Sequence, residues 1–474
     1  MAEYKRKKSR ILIVGAGEAG EMIAREILAH PEERYILVGF LDDDPKKQGR
    51  YIFGIKVLGS INDLPDVVSD ERIDEVLVAI PTASGETIRK IANLCNRAGV
   101  EFRILPGYFS IIYGDAHMTQ FKEIDVEDLL RREPIDLDIE SISSYIKGKR
   151  IMITGAGGTI GSELCRQLAS FKPSLLILLG HGENSIYNIE LEMKLRSDSS
   201  KVETVIGDIQ DSMRMDDVIK RTKPNIVFHT AAHKHVELME KNPLEAVKNN
   251  VMGTMNLIEA SKKYGVEKFI LISTDKAVNP ICMMGATKKV AEYLVQIANK
   301  NSKTDFITVR FGNVLGSRGS VVEMFKKQIE VGGPITITHP DMERYFMTIS
   351  EAVQLVIQAT AIGSAGDILV LDVGEPIKIV DLAKDLISLY GRNPKSIKID
   401  YIGIRKREKL CEELFSQDEE IKPTRIPEIR IAVPPKIDET YLIERINRLV
   451  EKSISMDYEG VIEEVKALIP TYKR

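Results

Sequence analysis

From residue 10 the chain alternates short apolar runs with longer stretches whose apolar residues recur at helical spacing. RILIVGAGEAGEMIAREIL reads as strand, glycine turn and helix. YILVGFLDDD, EVLVAIPT and EFRILPG read as further strands, with ETIRKIANLCNRAG a helix between the last two. Strands separated by helices imply a parallel sheet covered on both faces. The pattern then lapses. MTQFKEIDVEDLLRREPIDLDIESISSYIKGK is charged, has one short helical patch and no strand periodicity, and reads as an ordered linker. It restarts at RIMITGAGGTIGSELCRQLASF, followed by the apolar runs of SLLILLG, VETVIGD, NIVFH and FILIS. The expected fold is α/β, with two tandem Rossmann-like, doubly wound parallel sheets. The expected boundaries are 1–115 for a nucleotide-binding-type domain, 116–147 for the linker and 148–474 for a second, larger domain.

Composition narrows the class only modestly. A chain of 474 residues has room for two to four domains at roughly 100–200 residues each. Hydrophobic residues make up 43% and charged residues 29%, as in ordinary soluble proteins. A net charge of -4 gives no reason to expect a nucleic-acid partner. Cys95, Cys165, Cys282 and Cys411 are far apart, which fits reduced thiols in a cytoplasmic protein. No apolar run approaches the ~18–20 residues of a membrane helix. The basic start, MAEYKRKKSR, reads as a solvated tail, with weak peripheral attraction to an anionic membrane as the alternative.

Two glycine turns carry the first chemical signal. Gly15, Gly17 and Gly20 form a GxGxxG, with Asp42 at the end of the next strand where a ribose-binding acid would stand. The pattern is weak alone, so nucleotide binding and a structural or regulatory role both stay open there. The second turn is stronger. Thr154, Gly155, Gly158 and Gly161 match TGxxGxxG, opening a helix at Thr159 and Ile160 whose N-terminus can face a pyrophosphate. The next strand ends at Gly180, with Glu183 the nearest carboxylate and His181 and Asn184 as other partners. No Arg or Lys follows before Lys194, which favours NAD over NADP. Asp208 and Ile209 stand where an adenine edge and face would be met, and Ala231 and Ala232 below a nicotinamide ribose. His229, His233 and His235 lack companion ligands at suitable spacing, so no metal is expected.

The stretch STDKAVNPICMMGATKK raises a sharper question. Short-chain dehydrogenases place Ser or Thr at a strand end, then Tyr, three residues and Lys. Thr274 and Lys288 fit, but Met284 holds the tyrosine position, and a thioether moves no proton. Together GAGGTIGSEL, HTAAHKHVELMEKNP, STDKAVNP with MGATK, and RFGNVLGSRGSV resemble the extended short-chain dehydrogenase/reductases of bacterial glycan synthesis. More narrowly, they resemble the UDP-N-acetylglucosamine 4,6-dehydratases of the capsular polysaccharide type. The likeness runs from residue 10 nearly to the end and includes the extra N-terminal nucleotide-fold domain and the linker DLLRREPIDLD. Two departures stand out. The membrane-helix bundle that opens the large members is not in this sequence, implying a soluble variant or a shortened chain. Their Arg-Pro-Gly-Glu-Lys is here Arg405-Lys406-Arg407-Glu408-Lys409.

The resemblance implies a redox-neutral lyase reaction: oxidation at C4 of UDP-N-acetylglucosamine by NAD, loss of the C5 proton and C6 hydroxyl, and return of hydride to C6. A carboxyl group suits protonation of the leaving hydroxyl, which points to Asp275. By analogy Lys276 is the C5 base, its ammonium expected to be destabilised by burial near Lys288. Lys288 anchors the ribose, and the C4 proton passes through Thr274, Asp275 or water. Met-bearing members of the group are active, so Met284 implies a variant mechanism. The NAD-binding core is expected at 148–312, and a smaller C-terminal substrate lobe at 313–345 and 368–474. Asn313, Ser317, Arg318 and Arg344 are the expected phosphate and sugar contacts, Glu408 the ribose contact, and the backbone of ITIT at 335–338 a uracil edge. A homo-oligomer is also implied. The alternatives are a UDP-sugar epimerase on the same fold, or a non-catalytic UDP-sugar- or NAD-binding protein.

Overall fold

The apolar runs form strands, and these sort into two sheets. The computed structural model describes residues 8–30, 35–105, 128, 137–196, 200–300, 302–390 and 396–472. Contacts divide the chain into two compact units, Met1–Ile135 with Gly319–Ile337 and Val380–Tyr401, and Asp136–Arg318 with Thr338–Ile379 and Ile402–Arg474. The expected substrate lobe is thus shared between them. The basic tail through residue 7, and the linker as far as residue 136 except Asp128, lie outside the described residues.

In the first unit the strands lie in the order Tyr51–Ile52, Ile55–Gly59, Tyr35–Leu41, Ser9–Val14, Glu75–Val78, Glu101–Ile104. All pair in parallel except the short outer hairpin. Ile11, Leu12, Ile13 and Val14 are fully buried, as a strand covered on both faces requires. Gly15 has φ +105, and a Cβ there would come within 2.9 Å of the Ala79 carbonyl oxygen. Asp42 does not stand free for a ribose. Its carboxylate accepts the Ala16 and Asp44 N–H groups at 2.8 and 2.9 Å and the Lys47 ammonium at 3.0 Å. Those contacts favour the structural reading of this turn. Elsewhere in the unit, Ile335–Ile337, the ITIT stretch, pairs with Ile399–Tyr401.

In the second unit the end of the linker forms the helix Ile139–Ile146, capped by Asp138 and buried through Ile142 and Ile146. The sheet runs Val202–Ile206, Leu175–Gly180, Arg150–Thr154, Ile226–His229, Lys268–Ile272, Asp305–Arg310, Ile368–Leu371, all parallel, then antiparallel Ile429–Val433 and Glu420–Pro423. Chain order therefore reverses between Arg150–Thr154 and Ile226–His229. Ligands of open α/β sheets bind at the carboxyl ends of strands beside such a switch. Met152, Ile177, Val227, Phe269 and Phe306, each 0% exposed, fill one side of the sheet.

One buried cluster in this unit is ionic. Arg310, fully buried, forks onto Glu292 at 2.9 and 3.2 Å and onto Glu419 at 2.9 and 3.0 Å. Lys289 lies 3.1 Å from Glu292 and 3.8 Å from Glu419. Two cations thus face two carboxylates. Burial pushes the Glu292 carboxyl up, but Arg310 and Lys289 more than reverse it, to about 2. Glu292 also accepts the Ser273 hydroxyl at 2.7 Å, so the cluster fixes the strand end that leads into the site.

Candidate active site

A cleft of about 250 Å³ opens at the switch point, lined among others by Gly155, Gly157, Gly158, Gly180, His181, Ile209, Ala231, Ala232, Asn249 and Arg318. The glycines are steric necessities. Gly155 has φ +67, and a Cβ on it would lie 2.9 Å from the Ala231 backbone; one on Gly161 would lie 2.2 Å from the Gly155 oxygen. Beneath them His229 is fully buried between two threonines. Burial, with Lys288 adding, pulls its imidazole down to about 3, so it is neutral. The Thr254 hydroxyl donates to the Asn250 carbonyl at 2.7 Å. It therefore accepts from His229 Nε2–H at 2.9 Å, and Nδ1 accepts from Thr154 at 2.8 Å. Thr154 in turn accepts the Ala231 N–H at 3.3 Å, which ties the two lips of the cleft together.

A dinucleotide fits what is present. Asn249, 5% exposed on the π-helical turn Lys248–Met252, lines the cleft with an Oδ1 that has no partner. A buried acceptor left unpaired is costly unless a ligand completes it.

The Thr274–Lys276 stretch lies at the end of Lys268–Ile272. The Ser273 and Asp275 N–H groups bond to the carbonyls of Val309 and Phe311, at 2.7 and 3.0 Å. This swings Asp275 fully inside. Its Oδ1 accepts from Thr274 Oγ1 at 2.8 Å and from Lys276 Nζ at 3.1 Å, and its Oδ2 has no partner. Lys276 also donates to Asn313 Oδ1 at 3.1 Å and lies 3.7 Å from Glu412. Burial destabilises the Lys276 ammonium, but Asp275 and Glu412 outweigh it and the net shift is upward. That corrects the expectation of a destabilised Lys276, which left these two carboxylates out. Lys288 is the lysine brought down, to about 8, by burial with only Glu292 opposing. Its Nζ donates to the Ile272 carbonyl at 2.7 Å. Met284, 4% exposed, packs with Met239, Leu244, Val247 and Val251 in an apolar cluster.

Other expected contacts sort unevenly. Ile209, Ala231 and Ala232 line the cleft; Glu183 is exposed at the start of its helix, and Asp208 caps its own turn through the Gln210 N–H at 2.9 Å. Neither lines the cleft, where His181, Gly182, Gly207 and Ile209 stand instead. Arg318 is exposed at the cleft, its N–H 3.4 Å from Thr159 Oγ1; Ile160 and Ser317 are half-buried. Arg344 is engaged by the 405–410 loop, donating to the Leu410 carbonyl at 2.9 Å and facing Glu408 at 3.5 Å. In that loop Arg407 holds φ +65 where the related motif has glycine. Its guanidinium bonds Glu240 and the Tyr472 hydroxyl and lies 4.7 Å from the Tyr472 ring centroid, while Glu240 also accepts the Met283 N–H. Sequence reasoning missed Asn249, Arg407 and Glu412. Among the described residues no group of three or more His, Cys, Asp or Glu could hold a metal ion.

A glycine cradle at the switch point, with a helix lysine behind a Thr-Asp-Lys turn, belongs to short-chain dehydrogenase/reductases of the extended, epimerase/dehydratase type. A model described as polysaccharide biosynthesis protein matches residues 151–434, and the chain belongs to that family. A second model, a CoA-binding domain, matches residues 1–106. The capsular polysaccharide biosynthesis protein CapD of Staphylococcus aureus is 49% identical over 426 residues, which cover 89% of this chain and 71% of CapD. An inverting UDP-N-acetylglucosamine 4,6-dehydratase of Campylobacter jejuni is 35% identical over 277 residues, 57% of this chain and 79% of that enzyme. A UDP-glucose 4-epimerase of Rickettsia rickettsii is 36% identical over 288 residues, 58% and 80%. Among the described residues no helix is long and apolar enough to cross a membrane.

Proposed function

We propose that the protein is a UDP-N-acetylglucosamine 4,6-dehydratase acting in polysaccharide synthesis. Gly155, Gly158, Ala231, Ala232, Asn249 and Lys288 would hold NAD, which when bound supplies the hydride acceptor for C4 and the donor for C6. The proton work falls to the chain. In the absence of a tyrosine, Thr274 relays the C4 hydroxyl proton: it hands its own proton to the Asp275 carboxylate along their 2.8 Å hydrogen bond as it accepts the sugar's. Lys276, once its ammonium has released a proton to solvent, accepts the one from C5, and C5 regains a proton when C6 is reduced. The electron pair of the C5–H bond then forms the C5–C6 double bond while the C6–O bond breaks. Asp275 donates the proton that leaves with that oxygen as water. Arg344 and Glu408 would exchange their mutual contact for the nucleotide's phosphates and ribose, with Asn313, Ser317 and Arg318 alongside.

The observation that carries this reading is the pairing of a buried carboxyl with a lysine at the strand end, while the tyrosine position is packed into an apolar cluster. A 4-epimerase needs proton transfer at one oxygen, the tyrosine's task. Elimination across C5 and C6 needs both a base and an acid. Incubation with UDP-N-acetylglucosamine should give a product lighter by one water, with no added NAD and no accumulating NADH. A product of unchanged mass would favour the epimerase, and tight binding without turnover the non-catalytic reading.

A further inference from the structure

Three oxygens from three segments surround the Lys276 nitrogen: Asp275 Oδ1 and Asn313 Oδ1, each at 3.1 Å, and Glu412 Oε1 at 3.7 Å. The first two are within hydrogen-bonding distance; the third acts by charge alone. Glu412 is 8% exposed and follows the loop whose Arg407 is anchored to Glu240 and Tyr472. We propose that Glu412 is a positioning residue of this site, holding the Lys276 ammonium against Asp275 and setting how readily that nitrogen sheds its proton. The proposal rests on the dehydratase reading, in which Lys276 must become a free amine.

Charge bookkeeping supports it. Asp275 and Glu412 stabilise the ammonium and Arg344 opposes them. Glu412 itself is raised by burial, with Asp275 adding while Lys276, Arg344 and Lys409 pull the other way. Cys282 also faces the group, its thiol raised chiefly by burial. Two carboxyls around one ammonium hold their protons jointly. Removing one should release the lysine's proton at lower pH.

The test is the pH profile of kcat for water loss, with solvent deuterium entry at C5 read in parallel. Activity that needs a neutral lysine rises with pH. In Glu412→Gln the rising limb should move to lower pH by on the order of one unit, with KM changed less than about twofold. Glu412→Asp, which keeps the charge but draws it back by one methylene, should move the limb the same way by less, and serves alone if the glutamine variant does not fold. A limb that stays in place, or moves to higher pH, overturns the proposal. Failure of the wild type to release water would instead refute the dehydratase reading.

Discussion

Arg407 offers a perturbation whose opposing parts can be separated. At φ +65 a residue with a Cβ is strained by roughly 1–2 kcal/mol. Against this stand a charge-assisted bond to Glu240, about 1.5–3 kcal/mol, and the Tyr472 ring beneath the guanidinium, about 0.5–2 kcal/mol. The side chain is 8% exposed and Glu240's 21%, so solvent screens the pair only partly. Arg407→Ala loses the contacts and keeps the strain, and should destabilise by roughly 2–4 kcal/mol. Arg407→Gly loses the same contacts but relaxes the backbone, recovering about 1 kcal/mol relative to alanine. The expected order is wild type, then glycine, then alanine, read as urea midpoints at constant slope. Because Glu240 also holds the Met283 N–H, both variants should lower turnover as well. Glycine as stable as wild type would show that the arginine's contacts offset nothing. Glycine no better than alanine would show that the backbone is not strained.

Asp275→Asn should lower water loss by ~10²–10⁴-fold with near-normal substrate affinity, since the amide keeps the shape but cannot donate the acid proton; retention of more than about a third of wild-type turnover would place the acid elsewhere. Lys288, at about 8, is charged below that pH. If its charge holds the dinucleotide, NAD retention should fall as pH rises through 8 in the wild type and lose that dependence in Lys288→Met, as equilibrium dialysis would show. His229 and Glu292 both lie below their ordinary values, at about 3 against 6.5 and about 2 against 4.5. The unfolded chain therefore takes up these protons first as pH falls. The stability they lend is complete above 6.5, declines through the histidine's range down to 3 and through the glutamate's from 4.5 to 2. His229→Gln should flatten the upper part of that decline in urea midpoints against pH.

Much of the frame was legible because it rests on local rules. The strand runs and both glycine turns follow from burial on two faces and from backbone approach distances, each written in a few adjacent residues. The Tyr51–Gly59 hairpin escaped because its strands are short and partly polar. The site was legible where motif and strand end coincide, at Thr274 to Lys276. It was not where distant segments meet. Glu412 reaches Lys276 across more than a hundred residues, and with the adjacent Asp275 it reverses the direction expected for the lysine. Glu183 and Asp208, placed by their spacing after strands, do not line the cleft: Glu183 is exposed and Asp208 accepts the N–H of its own turn.

The Arg310 cluster bears on how such a sequence can change over time. Its four side chains balance to zero only together, and any one lost alone leaves an uncompensated buried charge, at about 3–5 kcal/mol. Replacement by apolar residues of similar volume is nearly neutral, but only after several substitutions have accumulated. Single steps lead downhill in stability even though the far side is level. Descendants of this chain should therefore keep Arg310, Lys289, Glu292 and Glu419 as a set or lose them as a set, and a lineage caught between should carry a compensating change beside the gap.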